Sequence, residues 1–523
     1  MKLRVHPCAR VLAGALAALV CLAIAGCGGG GSAKPQNRLS TRPSSPSAPA
    51  RSGRPNIVFV LTDDLSMDLL RFMPHVRAMQ RLGLTFNDYF VSDSLCCPSR
   101  ASIFTGEFPH DTHVFGNFGP EAGFHTFFAR GEERHTFAIA LHRAGYFTAM
   151  MGKYLNGYMG RRGHLADGAT ASNIPTGYVP PGWSEWDVAG WGYPEFNYTL
   201  NQDGILRRYG HHRWDYLTDI LSRRGTAFIA HTATLGRPFF LELATFAPHY
   251  PYTPAPRDAH DFPGLRAPHP PSFDVLPIHA PRWLAAHPPL TRRQKARINR
   301  VFRLRARAVQ AVDRMIGEVE RALRRYGLAR NTYLVFSSDN GLHNGQYRLM
   351  PGKLTAFDTD IRVPLVVVGP GVPAGATSSA MVENVDLAET FAAIGGTQLA
   401  GDGASLLPLL HGRRHLGWRN AILVEHHGPP LSVADPDFQQ PASGNPTTYE
   451  AMRTNSFLYV EYADGEREFY DLRRDPFELD NLAGELTQSQ LVLLHAELVA
   501  MERCHGEASC WRATHIPRLS GKP

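Results

Sequence analysis

The segment Ser94-Leu95-Cys96-Cys97-Pro98-Ser99-Arg100-Ala101-Ser102, running on to Ile103-Phe104-Thr105-Gly106, concentrates more reactive chemistry than any other stretch of the chain. Pro98 suits the first turn of a helix and Gly106 its C-terminal stop. The spacing therefore predicts that Cys96 sits just before a helix N-terminus, where backbone N–H groups and the helix dipole favour an anion. In that cradle Cys96 could act as a thiolate nucleophile of lowered pKa. A metal-binding pair with Cys97 and a structural buried thiol are the other readings of the same residues. The two cysteines are adjacent and do not readily meet disulfide geometry with each other. Acids or amides also stand where strands should end, at Asp63-Asp64 and Asp339-Asn340, and His249 follows a third strand-like run.

Those polar ends belong to apolar runs, Asn56 to Thr62, Tyr333 to Ser338 and Phe239 to Phe246, and a fourth run spans Val363 to Val368. Such runs read as buried parallel strands. In open α/β sheets ligands bind beyond the carboxyl ends of the strands, so acids delivered there by two strands predict one shared site. Segments 134–144, 216–232 and 291–326 carry helical periodicity between the strands. The alternation predicts an α/β fold over 56–417, a mostly parallel central sheet covered by helices on both faces. Stretches 160–215 and 250–290, rich in Pro, Gly, Trp, Tyr and His, read as long loops lining a cleft and choosing the substrate. His211, His212 and Arg257 there, with Arg453 near a later strand edge, are candidate substrate contacts. Over 418–523 short segments around a Gly465 turn, followed by a helix near 488–502, predict a smaller α+β subdomain of antiparallel sheet plus helix.

The 523 residues hold 54 Lys+Arg against 47 Asp+Glu, but residues 1–55 contain eight of the basic residues and none of the acidic ones. The body is thus close to neutral, which removes the electrostatic case for a nucleic-acid partner. Segment 291–326 is the local exception, with twelve Lys/Arg against three acids. It reads as the solvated face of an amphipathic helix whose Val301, Leu304, Val309, Val312 and Ile316 face the core, rather than as a grip on an acidic polymer. At the N-terminus, Lys2, Arg4 and Arg10 precede the charge-free run Val11 to Ala25, too short for a comfortable membrane span and typical of a secretory signal over 1–26. Ile24-Ala25-Gly26-Cys27 resembles the lipobox of bacterial lipoproteins, which implies lipid attachment at Cys27 and a membrane-anchored protein on the extracytoplasmic side; the alternative is an ordinary signal cut nearby, with Cys27 incidental and the protein secreted. Residues 27–55 are Gly, Ser, Pro and Ala-rich, a flexible tether. A disulfide between Cys504 and Cys510 suits an exported protein.

Cys96-Cys97-Pro98-Ser99-Arg100 resembles the signature of the sulfatase family, in which the first cysteine is enzymatically converted to formylglycine and the hydrated aldehyde is the nucleophile. The likeness continues through Asp63-Asp64, Gly152-Lys153, Ala247-Pro248-His249, Ser338-Asp339-Asn340-Gly341, Gly352-Lys353 and the late stretch Tyr470 to Leu482. Each is weak alone; in this order they are specific, and they span nearly the whole body. Lys153-Tyr154-Leu155-Asn156, Asn197-Tyr198-Thr199-Leu200, Asp215 to Asp219 and Asp339 to Gln346 are similar to the N-acetylglucosamine-6-sulfatases and extracellular heparan 6-O-sulfatases.

The resemblance implies an alkaline-phosphatase-like fold, a formylglycine-generating enzyme acting during maturation, and hydrolysis of sulfate monoesters, with the 6-O-sulfate of glucosamine-type sugars in glycosaminoglycans as substrate. It implies that Asp63, Asp64, Asp339, Asn340 and the modified Cys96 hold one divalent cation. The oxygen donors suit Ca²⁺, with Mg²⁺ as the alternative, better than Zn²⁺. Arg100 would steady the formylglycine, Lys153 and Lys353 would bind sulfate oxygens, and His249 would protonate the leaving alcohol. Leu155 departs from many sulfatases, which have a second histidine there, and Asn156 and His343 are secondary candidates for its hydrogen bonding. The rivals are a phosphate or phosphonate ester hydrolase of the same fold, an inactive glycan-binding lipoprotein, and a thiol enzyme using unmodified Cys96.

Overall fold

The run Asn56–Thr62 forms a strand with all seven residues buried, as a strand covered on both faces requires. The computed structural model describes residues 53–159, 174–413, 417–428, 435, 437–517 and 519; the secretory run, Cys27 and most of the tether lie outside the described residues. Asn56–Thr62 is central in a ten-stranded sheet of order Ala376–Ser378, Leu84–Phe86, Leu365–Val368, Thr332–Ser338, Asn56–Thr62, Phe239–Ala244, Phe147–Lys153, Glu185–Ala189, Thr199–Gln202, Ile205–Arg208. The five strands from Thr332–Ser338 to Glu185–Ala189 run parallel.

Both faces are covered. Phe59, Phe104, Phe137, Phe240 and Phe391 belong to the core on the side of helices Cys96–Thr105, Phe137–Arg143 and Asp386–Ile394. Val58, Val60, Leu241 and Leu243 meet Val309, Val312 and Ile316 of the 34-residue helix Arg292–Arg325 on the other. Thr291 and Gln294 close the start of that helix with a reciprocal capping box, satisfying backbone donors that a helix end leaves free. Val301, Val309, Val312 and Ile316 are buried as expected, while Leu304 is half-buried. Among the described residues no helix is long and apolar enough to cross a membrane.

Two expectations change. Leu365–Val368 pairs antiparallel with Thr332–Ser338. The intervening chain carries only the four-residue helix Asp358–Ile361; it stays at the carboxyl edge and returns without the crossover that parallel pairing needs. The 160–215 stretch, expected as loop, supplies the strands Glu185–Ala189, Thr199–Gln202 and Ile205–Arg208, short elements whose signal is swamped by the surrounding Pro and Gly. Residues 160–173 lie outside the description. Stretch 250–290 is irregular apart from the short turns Pro256–Asp258 and Arg282–Ala285.

The late strands Ala421–His426, Tyr449–Thr454, Phe457–Tyr462 and Arg467–Asp471 form a four-stranded antiparallel sheet, backed by helix Gln488–Glu502. Cys504 and Cys510 are disulfide-bonded. The late sheet is tied to the preceding chain where Glu425 N–H donates to Ser92 O at 2.8 Å and where His110 lies 2.9 Å from Glu425 Oε1 and 2.8 Å from the Cys504 carbonyl. Burial pulls the His110 pKa down, but Glu425, the Cys504 carbonyl and Asp111 outweigh it and lift it to about 9. A folded pKa above the unfolded value of about 6.5 gives stabilisation that is complete below that pH and lost as pH rises through the folded value. Stability against urea should therefore fall between about pH 6.5 and about pH 9, by on the order of 3 kcal/mol at most. His110→Gln should lack that component; profiles of equal slope in the two proteins would show that His110 is not the group responsible.

Candidate active site

The carboxyl ends of the parallel strands bring the site together. Thr62 stands opposite Ser338 in the sheet register, so Asp63-Asp64 and Asp339-Asn340 leave the sheet side by side. Asp64 adopts a left-handed backbone (φ 63°), a conformation costing a non-glycine residue of order 1–2 kcal/mol and found where the surroundings enforce it. The Asp339 carboxylate is part of that enforcement, because its Oδ1 accepts from Asp64 N–H at 3.1 Å and from Asn340 N–H at 2.9 Å. Asn340 Nδ2 donates to Asp64 Oδ1 at 2.7 Å.

The neighbouring strands add cations. Lys153 ends Phe147–Lys153 and places Nζ 2.7 Å from Asp63 Oδ2. Gly152 just before it has φ 111°, and a Cβ there would fall 1.8 Å from Ala244 O, so only glycine lets the adjacent strand approach so closely. His249 follows Phe239–Ala244, with Nε2 3.6 Å from Asp64 Oδ2 and Nδ1 2.7 Å from Tyr250 O. Lys353, from the loop after Asn340, donates to Asp64 Oδ1 at 2.7 Å and to Cys96 Sγ at 2.9 Å.

Cys96 begins helix Cys96–Thr105, all ten residues of which are buried, and Gly106 ends it with φ 79°. From that helix Arg100 donates through Nε to Asp339 Oδ2 at 2.8 Å and through Nη1 to Lys153 O at 3.0 Å. Cys96 Sγ donates to Asp63 Oδ1 at 3.1 Å. The thiol is not an activated thiolate: burial, then the nearby carboxylates of Asp437 and Asp63, push its pKa well up against the pull of Lys153 and Lys353. The expected benefit of the helix N-terminus is outweighed by these larger effects.

The charges are balanced by mutual pairing. Burial would raise the Asp63 pKa, yet Lys153, His249, Arg100 and Lys353 together hold it below the usual carboxylate range. Asp339 goes the other way, to about 6, because burial and the Asp63 charge outweigh Arg100. His249 is lifted to about 9, as Asp64, Asp437 and Asp63 overcome the effect of burial. Asp63, Asp64, Cys96 and His249 offer ligand atoms all within 4.8 Å of one another. Asn340 Oδ1 is buried without a hydrogen-bond partner, an orphaned acceptor beside two carboxylates. The group could hold a metal ion, and its oxygen donors on Asp63, Asp64 and Asn340 are of the kind hard divalent cations take.

Four residues in or against the site were not anticipated. Asp437 is fully buried and places Oδ1 2.5 Å from His249 Nε2 and 2.8 Å from Lys353 Nζ. Asn117 donates to both Asp435 and Asp437. Tyr193 packs its ring 4.6 Å from His249 and 5.1 Å from Lys153 Nζ. Arg305, wholly buried on the long basic helix, donates to the Asp64 carbonyl. Only Arg305 had a signal, a cation on the apolar face of its helix; the others are single residues in irregular chain.

Neither secondary candidate is hydrogen-bonded to Cys96 itself. Both ring nitrogens of His343 are spent, on Asp360 at 2.9 Å and Ser443 O at 2.9 Å, so it is not hydrogen-bonded to the cluster around Cys96. Asn156 Nδ2 donates to Tyr193 OH at 3.2 Å. Leu155 is buried in the apolar core. Arg453, expected near substrate, is instead buried in a two-pronged pair with Asp358, since a strand residue facing inward needs a counter-charge. Arg257 pairs with Asp219, whereas His211 and His212 are exposed.

The sulfatase family model matches residues 55–397, well over half of the chain. The chain belongs to the sulfatase family. A model for the C-terminal region of N-sulphoglucosamine sulphohydrolase also matches, over residues 345–503. The human N-acetylglucosamine-6-sulfatase is 34% identical, with 87% of this chain and 86% of the relative covered. An extracellular sulfatase SULF-1 homolog of Drosophila melanogaster is 34% identical over 72% of this sulfatase but only 34% of its own length. Among solved structures, one in complex with its substrate D-glucosamine-2-N,6-O-disulfate matches with a TM-score of 0.69, 22% identity, and 86% and 97% of the two chains covered. The phosphonate monoester hydrolase of Agrobacterium radiobacter matches with a TM-score of 0.62 and 22% identity, over 86% and 95%.

Removing Arg100 would leave Asp339 buried without its cation, and breaking one side of a buried pair costs roughly 3–5 kcal/mol. Arg100→Ala should lower the urea midpoint accordingly; a loss below about 1 kcal/mol would mean that the pair does not hold the site together.

Proposed function

We propose that this sulfatase hydrolyses 6-O-sulfate esters of glucosamine-type sugars in glycosaminoglycans, through a formylglycine derived from Cys96. The observation carrying this reading is the position of Cys96 Sγ, within hydrogen-bond reach of both Asp63 and Lys353 at the start of a buried helix. The names of the 34%-identical relatives support the sugar and the ester position. Residues 1–26 are the signal, 27–55 the tether, 56–417 the catalytic part and 418–523 the C-terminal subdomain of an exported protein anchored through Cys27.

Asp63, Asp64, Asp339 and Asn340, with an oxygen on residue 96, would hold one divalent cation, Ca²⁺ on the strength of its oxygen donors, and it would supply polarisation of the sulfate oxygens. Formylglycine, made by a formylglycine-generating enzyme, would supply as its hydrate two hydroxyls on one carbon, one to bond to sulfur as the ester oxygen leaves and the other to lose its proton and re-form the aldehyde as the carbon–oxygen bond to sulfate breaks. The rest falls to the chain's own side chains. Lys153 and Lys353 have pKa values pushed well above the ordinary lysine value, because Asp63 in one case and Asp437 and Asp64 in the other overcome burial. They stay charged and neutralise the ester oxygens as negative charge builds up. His249 commits Nδ1–H to the Tyr250 carbonyl, which leaves the Nε2 proton for the departing alcohol oxygen as the sulfur–oxygen ester bond breaks. Arg100 locks Asp339 and the end of the Lys153 strand, and Tyr193 screens His249 and Lys153 from water.

The test is mass spectrometry of the proteolytic peptide spanning Cys96, on protein made in its own host, followed by turnover of N-acetylglucosamine 6-sulfate and of matched aryl sulfate and aryl phosphate. The expected outcome is a formylglycine mass, a preference for sulfate over phosphate, loss of activity in Cys96→Ala, and loss on chelation that Ca²⁺ restores. Unmodified cysteine in folded, active protein would sink the mechanism, and faster phosphate hydrolysis would favour the phosphoesterase reading.

A further inference from the structure

The groups assigned to the sulfate already share a partner supplied by the late part of the chain. Asp437 Oδ1 lies 2.5 Å from His249 Nε2 and 2.8 Å from Lys353 Nζ. His249 Nδ1 is spent on the Tyr250 carbonyl, so Nε2 is the ring nitrogen left to face a substrate. The same Lys353 ammonium touches Cys96 Sγ at 2.9 Å. One carboxylate oxygen therefore occupies two donors that an ester oxygen at the nucleophile would need. Its aim is fixed from behind, because Oδ2 accepts from Asn117 Nδ2 at 2.8 Å and the Asp437 N–H donates to Asp435 Oδ1 at 2.9 Å.

Resting on the sulfate-ester reading above, we propose that Asp437 is a specificity-determining residue that exchanges partners with the substrate. In the free enzyme it holds His249 and Lys353. A sulfate ester takes those donors over, and Asp437 must then find another hydrogen bond or stand as an unpartnered buried charge beside a bound anion, which is costly. A sugar ester can meet that need with a donor on its ring, such as the C4 hydroxyl of a glucosamine 6-sulfate. An aryl sulfate or inorganic sulfate offers no such donor and meets only the repulsion. Selection thus works by penalising the wrong ligand as well as by rewarding the right one.

The experiment compares wild-type holoenzyme with Asp437→Asn, which keeps the shape, and Asp437→Ala. Three quantities are read: the affinity for inorganic sulfate by calorimetry, kcat/KM for 4-nitrophenyl sulfate and for N-acetylglucosamine 6-sulfate, and metal content. Both variants are expected to bind sulfate roughly tenfold or more tightly and to gain on the aryl ester, while the sugar ester loses about tenfold or more. Their metal content should equal that of wild type. Unchanged sulfate affinity and an unchanged sugar-to-aryl ratio would overturn the proposal, and so would loss of metal, which would make Asp437 a ligand. If wild type turns over no sulfate ester at all, the functional reading fails; the calorimetric comparison still decides whether Asp437 guards the anion site.

Discussion

Two adjacent carboxylates, Asp63 and Asp64, end the central strand almost wholly out of contact with water, and a buried charge is tolerable only when it is paired. That requirement accounts for the arrangement around them. Lys153 comes from a strand two places away in the sheet, Lys353 from the loop after another, His249 from the turn after the strand between, and each ends against one of these two acids. Arg100 extends the scheme through Asp339. Elements far apart in sequence are thus pinned to one point by charges that must be paired in low-dielectric surroundings. The pairing holds the site; it does not by itself stabilise the fold, because the desolvation of such groups offsets much of their attraction.

The sheet makes this economy workable. Register between Asn56–Thr62 and Thr332–Ser338 sets the two acid-bearing ends level, and Gly152 lets the Lys153 strand close on its neighbour. Side chains that must be placed within fractions of an ångström sit at the ends of rigid strands or on a fully buried helix. The loops supply Lys353 and Asp437, groups that a ligand must engage and compete for. On the underside, Arg305 of the long helix donates to the Asp64 carbonyl. That contact couples the backbone of the strained aspartate to the opposite layer of the core.

What the sequence disclosed follows from how local each signal is. Cys96, Arg100, the two acid pairs, Lys153, His249 and Lys353 lie in short segments whose residue types and order are distinctive, and the structure brings all of them together. Asp437, Asn117 and Tyr193 are lone residues in irregular chain, visible only once the fold has closed. His343, a secondary candidate on its segment's family likeness, has both of its nitrogens held by Asp360 and the Ser443 carbonyl. The direction of Leu365–Val368 was equally illegible, since an apolar run says that a strand is buried and not which way it points.

The reversal at Cys96 bears on what this position is for. A thiol surrounded by Asp63 and Asp437 and shielded from water resists ionisation, so the unmodified side chain is a poor nucleophile. A divalent cation on the acids would oppose that trend by stabilising a thiolate. Yet the donors around it are carboxylate and amide oxygens, which suit hard cations, whereas thiolate suits soft ones. Sulfur at position 96 would therefore be the mismatched member of the set, and an oxygen there would match it. A hydroxyl at position 96, as the proposed formylglycine hydrate carries, could donate to Asp63 as the thiol does at 3.1 Å and would match the oxygen donors around it.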